Sequence, residues 1–306
     1  GTQTLVFLRH AEKPGEGLGQ LNCQGLNRAL DLTRQAGRGQ VGELEIGMIS
    51  SVMVGLLPEA LRQFRERYPG VEWHLQEMTP AAQVAALLAG DVDAFPRIGV
   101  RSVAQFQSDP RFQVLISGSR AKTILSINNT RPPLNDVRVR RALAAAIDRQ
   151  AVITGAAEGF GVPIGSHYTP NAPGYIDTTG LNPFNPERAR QLLQEAGVTL
   201  PLKLHMTLPP TPYARQGGEV IAAQLAQVGV QVQLINVEWA QWLSQTYGAK
   251  QYDLTLISHV EPLDLGNYAK PDYYWGYQSS RFNALYARIQ ASANPEERLQ
   301  LLADAQ

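Results

Sequence analysis

From Leu44 onward the chain alternates strand patterns with helix patterns, and this alternation constrains the fold more than any other feature. LEIGMIS has a strand pattern, GLLPEALRQFRERYPG follows with apolar residues at helical spacing, and VEWHLQEM alternates as a strand. TPAAQVAALLAG is helical, with Thr79 as N-cap and Pro80 in the first turn, and DVDAF is a third strand. Strands that alternate with helices are typical of parallel βαβ units, so the sequence predicts an α/β fold.

A second run of such units occupies the later half of the chain. LKLHMTL, VQVQLINVE and YDLTLIS predict strands, and GGEVIAAQLAQVG and WAQWLSQTYGA predict the helices between them. Before this run, DVRVRRALAAAIDRQAVITGA predicts one long helix opened by Asp136, and NPERARQLLQEAG predicts a compact helix capped by Asn185. The Pro- and Gly-rich passages NNTRPPLND and GVPIGSHYTPNAPGY predict ordered loops between the two runs, so two lobes are expected.

Bulk composition excludes several classes of partner. Lys plus Arg and Asp plus Glu number 27 each, so no overall field favours nucleic acid or an anionic membrane. No apolar stretch reaches the length of a membrane-spanning helix, and no membrane insertion is expected. Cys23 is the only cysteine, which rules out an intrachain disulfide and a cysteine-based metal cluster. We therefore expect a locally built site for a small partner.

Four strings carry a resemblance to the extracellular solute-binding proteins of family 5, the peptide, dipeptide and nickel binders of ABC importers. They are AALLAGDVDAFPRI, ILSINNTRPPLNDVRVRRALAAAIDRQAVI, FNPERARQLLQEAG and YDLTLISHVEPLDLGNYAKPDYYWGY, within residues from about 75 to 306. The resemblance implies a type II periplasmic-binding-protein-like fold with two lobes of βαβ units and a hinge. It also implies a periplasmic or extracellular location, although the opening GTQTLVFLRH has no signal-peptide pattern.

Two other resemblances precede this one. GELEIGMISSVMVGLLPEALRQFRERYPGVEWHLQEMTPAAQVAALLAGDVDAF, about 42–93, resembles the effector domain of LysR-type transcriptional regulators. TLVFLRHAEKP and GQLNCQGLNRALDL, within 1–40, resemble the histidine phosphatases. We interpret the chain as a composite of 1–40, a first-lobe segment 41–113 and a second lobe 114–306. Residues 44–95 are expected to form one βαβαβ unit, and 1–40 to add a strand and a helix at an edge.

The loop after YDLTLIS provides the first candidate binding residues. In peptide binders of the resembled family, an acidic residue in this loop holds the amino terminus of the ligand, usually within D-P-D. Here the pattern is E-P-L-D, so Glu261 and Asp264 are both candidates. Tyr268, Tyr274 and Trp275 are candidates for flat contacts with the ligand. The alternative is that these rings seal the protein core.

Helix starts and the histidine-phosphatase-like loop provide the second set. Ser50, Ser51 and Thr79 stand where helix N-termini offer free N–H groups to an anion. Simple capping is the alternative for all three, and it is the favoured interpretation of Thr79. Arg9 and His10 match the anion-holding Arg and nucleophilic His of the phosphatase resemblance, and weak anion binding is the role kept for them. The second His that the phosphatase family needs has no match here, so no turnover is expected.

Function follows from the larger resemblance. We expect non-catalytic binding of a small molecule or peptide between the lobes, with ABC importer membrane subunits as partners if the family role is retained. The alternatives are a recombined or engineered scaffold without a ligand, and a histidine-type phosphatase. His259 beside Glu261 is weak evidence for a metal, so no metal and no cofactor are assigned. The helical pattern LQLLADAQ is cut at the end, which predicts a longer native chain.

Overall fold

The computed structural model divides the chain into two compact units, residues 1–120 and 121–306. It describes residues 4–9, 42–48, 56–96, 99–118, 121–261 and 264–306. Each unit contains one β-sheet with helices, so the predicted α/β class is confirmed. None of the helices within these described ranges is long and apolar enough to cross a bilayer.

The first unit is built on a five-stranded sheet in the order β3-β2-β4-β1-β5, and all its strand pairs are parallel. Its elements are β1 (Thr4–Arg9), β2 (Gly42–Met48), α1 (Leu56–Arg67), β3 (Val71–Glu77), α2 (Pro80–Ala89), β4 (Ala94–Pro96), α3 (Val103–Gln107) and β5 (Phe112–Ser117). Leu44 and Ile46 of β2 pack with Leu61, Phe64 and Tyr68 on and just after α1.

The predicted βαβαβ unit over 44–95 is confirmed. β2, α1, β3, α2 and β4 follow in that order, and the three strands lie in one sheet. The signals that delimit α2 act as expected. Thr79 Oγ1 accepts a hydrogen bond from the Ala82 N–H at 3.3 Å, and Gly90 ends the helix with φ of 84°. A positive φ suits glycine because it has no Cβ, so the helix stops where the sequence indicates.

The expectation that β1 lies at a sheet edge is wrong. β1 lies between β4 and β5 and pairs in parallel with β5 over its whole length, from Thr4 opposite Phe112 to Arg9 opposite Ser117. The physical reason is in its sequence, since TLVFL is a continuous apolar run rather than an alternating one. Strands with both faces covered in a parallel sheet have this composition. The helix predicted after β1 lies outside the described residues.

The second unit is built on a four-stranded sheet in the order β6-β9-β7-β8. Its elements are β6 (Lys122–Ile127), α4 (Val137–Ala145), α5 (Arg149–Ala157), α6 (Pro186–Glu195), β7 (Leu202–Leu208), α7 (Pro212–Ala226), β8 (Val230–Asn236), α8 (Trp239–Gln241), β9 (Leu254–His259), α9 (Ser280–Ala291) and α10 (Pro295–Ala305). The three predicted strands of this half are confirmed as β7, β8 and β9.

The core of the second unit joins the sheet to its helices. Met206 and Leu208 of β7 and Leu254 of β9 are fully buried, with Leu143 and Leu193 from α4 and α6 packed in the same cluster. Burying a leucine-sized side chain contributes about 1.5–3 kcal/mol relative to exposing it. This core holds the sheet rigidly, and the sheet in turn fixes the loops at its ends.

The single long helix predicted from Asp136 is wrong, because the chain forms two helices there. α4 ends at Ala145, and Asp148 then accepts hydrogen bonds from the N–H groups of Gln150 at 2.9 Å and Ala151 at 3.1 Å. A carboxylate that satisfies first-turn N–H groups begins a new helix. The Ala145 carbonyl is taken instead by the Asn185 N–H at 2.7 Å. The helix predicted over WAQWLSQTYGA is α8 continued by a π-helical segment, Trp242–Gly248.

Candidate functional site

The candidate site lies at one edge of the sheet of the second unit. β7 runs parallel to both β8 and β9, so the carboxyl ends of these strands meet at the same edge. β6 runs antiparallel to β9, and this places its first residue, Lys122, opposite the last residue of β9, His259. Ligands of open α/β sheets bind outside the carboxyl ends of the strands. The loops that leave this edge are therefore the natural place for a binding site.

Lys122 is the central cation of this edge. Its side chain is 1 % exposed, and its Nζ lies 2.6 Å from Asp264 Oδ1. The same ammonium donates a hydrogen bond to the backbone carbonyl of Glu261. Lys122 therefore binds both Glu261 and Asp264 in the loop that follows β9. Charge-assisted hydrogen bonds of this kind are about twice as strong as neutral ones.

Two histidines share the other oxygen of the Asp264 carboxylate. His259 Nδ1 lies 2.9 Å and His167 Nε2 lies 3.0 Å from Asp264 Oδ2. The remaining nitrogens face tyrosine hydroxyls, with His259 Nε2 2.9 Å from Tyr274 Oη and His167 Nδ1 3.5 Å from Tyr268 Oη. Each imidazole thus has one nitrogen toward the Asp264 carboxylate, which accepts, and the other toward a tyrosine hydroxyl.

The protonation states follow from burial and hydrogen bonding. Burial by itself raises the pKa of Asp264, but the hydrogen bonds from His167 and His259 outweigh it and hold that pKa well below its usual range. Burial lowers the pKa of His167 below its ordinary value, against the opposing effect of the Asp264 hydrogen bond. Near neutral pH the Asp264 carboxylate is therefore charged and the His167 imidazole is neutral.

Aromatic side chains enclose this polar network. The Tyr268 and Trp275 rings stack with centroids 4.6 Å apart, and the Tyr273 ring meets Trp275 edge-on at 4.4 Å. Tyr274 and Trp275 are buried, and burial raises the pKa of Tyr274 far above its ordinary value. These rings therefore seal the protein core, as the alternative interpretation of the sequence expects. Their role as ligand contacts stays a prediction. Trp275 Nε1 is a buried donor with no acceptor within the described part of the chain.

The two acidic candidates differ in their surroundings. The Asp264 carboxylate is buried and fully engaged by Lys122, His167 and His259. Glu261 is exposed, and within the described ranges its carboxylate has no hydrogen-bond or ion-pair partner. Of these two carboxylates, only that of Glu261 faces solvent. Asp264 fixes the loop that presents it.

Trp239 is a candidate site residue that the sequence did not suggest. It follows β8 at the same sheet edge, and its side chain is 41 % exposed although it is a large hydrophobic residue. Its ring meets the buried Trp242 ring edge-on at 5.9 Å. The sequence pattern assigns Trp239 to a helix, and its position directly after a strand was not considered. That position was the signal that could have found it.

The remaining predicted residues lie in the first unit. Thr79 caps α2, so the capping alternative describes it, and its role toward an anion stays a prediction. Arg9 is the last residue of β1. Ser50, Ser51 and His10 lie outside the described residues, and their assignments stay predictions.

Comparison with known proteins places most of the chain in one family model. Residues 70–302 match the model for bacterial extracellular solute-binding proteins, family 5, middle region. The match begins after the segment 1–40 that resembles histidine phosphatases and within the segment 42–93 that resembles LysR-type effector domains. The composite origin with segments 1–40, 41–113 and 114–306 therefore stays a prediction.

Curated and solved relatives agree with the family model. The chain is 29 % identical over 184 residues to a dipeptide-binding protein of Escherichia coli K12, covering 58 % of this chain and 34 % of the relative. It is 28 % identical over 242 residues to heme-binding protein A of Haemophilus influenzae, covering 72 % of this chain and 43 % of the relative. The ABC transporter substrate-binding protein CtaP of Listeria monocytogenes superposes with a TM-score of 0.70 at 18 % identity, covering 78 % of this chain and 51 % of CtaP.

These comparisons establish the fold class of the chain and the share of each relative that it covers. The solved structures carry the two-lobed periplasmic-binding-protein-like fold, as the sequence predicts. The chain spans about half or less of the length of the relatives it matches.

Proposed function

This chain belongs to the family 5 bacterial extracellular solute-binding proteins, and we propose that it binds a small solute or peptide at the carboxyl edge of the β6–β9 sheet without catalysing a reaction. Its homologues are named for dipeptide, heme and nickel binding. As in the resembled family, ABC importer membrane subunits are the proposed partners, and the periplasm or the extracellular space is the proposed location.

One observation carries this proposal: an exposed carboxylate, unpaired within the described residues, stands on a loop that the protein interior holds in place. Lys122 binds the Glu261 carbonyl and the Asp264 carboxylate together, so the backbone of Glu261 is fixed while its side chain remains in solvent. Preorganised groups lose little conformational entropy when a ligand arrives. Glu261 is therefore the proposed anchor for an amino group or another cation of the ligand.

Two neighbours extend the proposed site. Trp239 offers an exposed indole face at the same edge, which suits an apolar side chain or a cation of the ligand. Trp275 brings a buried N–H donor that lacks an acceptor within the described part of the chain, and such a donor gains about 1–3 kcal/mol when a partner supplies one. Tyr268 and Tyr274 back this surface through their contacts with the histidines.

The proposal is tested by a ligand screen followed by one charge-neutralising variant. Di- and tripeptides, amino acids and polyamines are added singly, and the thermal unfolding midpoint is recorded, because a ligand that binds only the folded state raises it. For the compound with the largest shift, calorimetry then compares wild type with Glu261→Gln. We expect the affinity to fall at least about tenfold, since a charged hydrogen bond contributes about 1.5–3 kcal/mol.

The matched control is Glu219→Gln, which removes an equally exposed carboxylate on α7. Its affinity should equal that of wild type. If no compound raises the midpoint, solute binding by this chain is contradicted. If a compound binds Glu261→Gln as tightly as wild type, the loop after β9 is not its anchor, and Ser50 and Ser51 become the better candidates.

A further inference from the structure

Three buried side chains converge on one buried carboxylate in the second unit. Lys122 Nζ lies 2.6 Å from Asp264 Oδ1. His259 Nδ1 and His167 Nε2 lie 2.9 Å and 3.0 Å from Asp264 Oδ2. We call these four side chains the carboxylate cluster, and each of them is at most 7 % exposed. They come from β6, β9, the loop between α5 and α6, and the loop after β9, so the cluster attaches the loop after β9 to three other segments.

The charge balance of the carboxylate cluster depends on His167. While His167 is neutral, the Asp264 carboxylate faces the ammonium of Lys122. A proton on His167 adds a second positive charge beside the same carboxylate, in a space that excludes water. The other neighbours of the His167 ring supply no negative charge. They are the His259 ring, with centroids 5.1 Å apart, and the Tyr268 hydroxyl, which stays neutral because burial raises its pKa. A charged His167 is therefore better solvated when the cluster is open to water.

We propose that protonation of His167 opens the carboxylate cluster and releases the adjoining part of the loop after β9 at mildly acidic pH. The far end of that loop is held by other groups. Asn129 Nδ2 donates to the Trp275 carbonyl at 3.0 Å, and the Tyr252 hydroxyl donates to the Tyr274 carbonyl at 3.2 Å. These bonds contain no histidine, so acid opens the part of the loop next to Asp264 and leaves the remainder in place.

The direction of the pH dependence follows from burial. Burial lowers the pKa of His167 below its ordinary value of 6.5, and Lys122 and His259 lower it further, against the opposing hydrogen bond and charge of Asp264. In the open loop the imidazole regains a pKa near that ordinary value, so the open state binds more protons at mildly acidic pH. The closed state is fully favoured above pH 6.5 and loses stability as the pH falls from there to the lowered pKa. Asp264 stays charged throughout, since its pKa lies well below its usual range.

The test is amide hydrogen exchange of the wild-type chain between about pH 7.5 and about pH 5.5, corrected for the intrinsic rate at each pH. The amides of Asn267, Lys270 and Tyr273 report on the loop, because each donates a backbone hydrogen bond within it. We expect their opening constant to rise about three- to tenfold, since release of one proton-binding group allows up to tenfold per pH unit. The amides of Val228 and Gly229 in the turn after α7 are the internal control and should show no such rise. A pH-independent opening constant of the loop overturns the proposal, and so does an equal rise in the control amides.

Variants connect the signal to one imidazole. His167→Gln keeps a side-chain N–H donor for Asp264 but does not titrate, so the rise in loop exchange should disappear. His205→Gln is the matched control, because His205 also lies beside a carboxylate, 3.2 Å from Asp253, but its side chain is 54 % exposed. It should keep the wild-type rise. A full rise in folded His167→Gln, or its loss in His205→Gln, contradicts the assignment to His167.

A measurement on the wild-type chain decides the matter if His167→Gln does not fold. Proton resonances of the histidine rings are followed by NMR against pH, and the His167 ring is identified by its contacts with the rings of Tyr268 and Trp275, whose centroids lie 5.5 Å and 5.9 Å away. We expect this ring to titrate below pH 6.5, over the pH range in which the loop amides open. Titration at or above pH 6.5 overturns the proposal.

Loop opening is measured without a solute, but its effect on affinity rests on the function proposed above. If Glu261 anchors the solute, the affinity of the best compound of the screen should fall by the same three- to tenfold factor over the same pH range, because Lys122 fixes the Glu261 carbonyl through this cluster. Acid opening of the loop in a chain that binds no compound supports the proposal and contradicts the proposed function. Solute binding by a chain whose loop amides are independent of pH does the reverse.

Discussion

Lys122 and His259 lie directly opposite each other in the antiparallel register of β6 and β9, and both side chains end on the carboxylate of Asp264. The lysine takes one carboxylate oxygen and the histidine takes the other. The two strands are thus joined at this edge by side chains as well as by backbone hydrogen bonds. Any change to Asp264 or Lys122 is therefore expected to affect the sheet edge and the loop together.

Replacement of Lys122 by Met should destabilise the protein strongly. It leaves the Asp264 carboxylate buried without its ammonium, and removal of one partner from a buried ion pair costs about 3–5 kcal/mol. Urea unfolding followed by circular dichroism measures the loss. Lys203→Met on β7 is the control, because that side chain is exposed, and it should change stability by less than about 0.5 kcal/mol. Equal losses in the two variants would contradict the buried pair.

Gly165→Ala should also destabilise the second unit. A Cβ at this position would lie 2.2 Å from the backbone carbonyl carbon of Thr178, so the main chain has to move. Overpacking of this kind typically costs about 1–3 kcal/mol. Gly180→Ala is the matched control, because nothing lies within 4 Å of its added Cβ. Thermal midpoints of the two variants provide the comparison, and an unchanged midpoint for Gly165→Ala would show that this close approach is absent in solution.

Asp148→Ala tests the break between α4 and α5. It removes the acceptor for the N–H groups of Gln150 and Ala151, and loss of such a cap costs about 1 kcal/mol. Gln150→Ala changes a neighbouring residue whose side chain makes no capping bond, so it should be neutral within about 0.5 kcal/mol. Urea midpoints measure both. If Asp148→Ala were as stable as wild type, the cap would not explain why the helix ends before Asp148.

Trp239→Ala should weaken solute binding while leaving stability almost unchanged. The side chain is largely in solvent, so little buried area is lost from the free protein, whereas a ligand at the sheet edge loses an aromatic face. Leu243→Ala, one helical turn away and more exposed, is the control for a general surface effect. Calorimetry with the best compound of the screen measures both affinities, and equal affinities for Trp239→Ala and wild type would place the ligand elsewhere.

Elements with strong local signals were predictable from the sequence. β7 forms over Leu202–Leu208, the segment that the sequence indicates as a strand, and α2 lies between its predicted cap residues, Thr79 and Gly90. These signals act over a few residues, so one segment suffices to interpret them. The break at Asp148 was missed because the apolar spacing continues across it and only the cap competes with it.

The site was predictable only in part. The loop with Glu261 and Asp264 was found because it is dense in acidic and aromatic residues. The division of roles between them depends on Lys122, which lies 142 positions before Asp264 in the sequence, and on His167, which lies 97 positions before it. No periodicity or spacing connects residues that far apart. Tertiary packing alone decides which carboxylate is buried and which is exposed.

The place of β1 inside its sheet has a kinetic consequence. The full-length partner of β1 is β5, with Thr4 paired to Phe112, about a hundred residues later in the chain. The chain between them must be synthesised and brought back before the ladder can close, and closure of long loops has an entropic cost that is met before the contacts form. Proteins dominated by such non-local pairings fold more slowly than those with local contacts. Assembly of the first unit is thus expected to wait for β5, whereas the parallel β2–α1–β3 unit can form earlier from neighbouring segments.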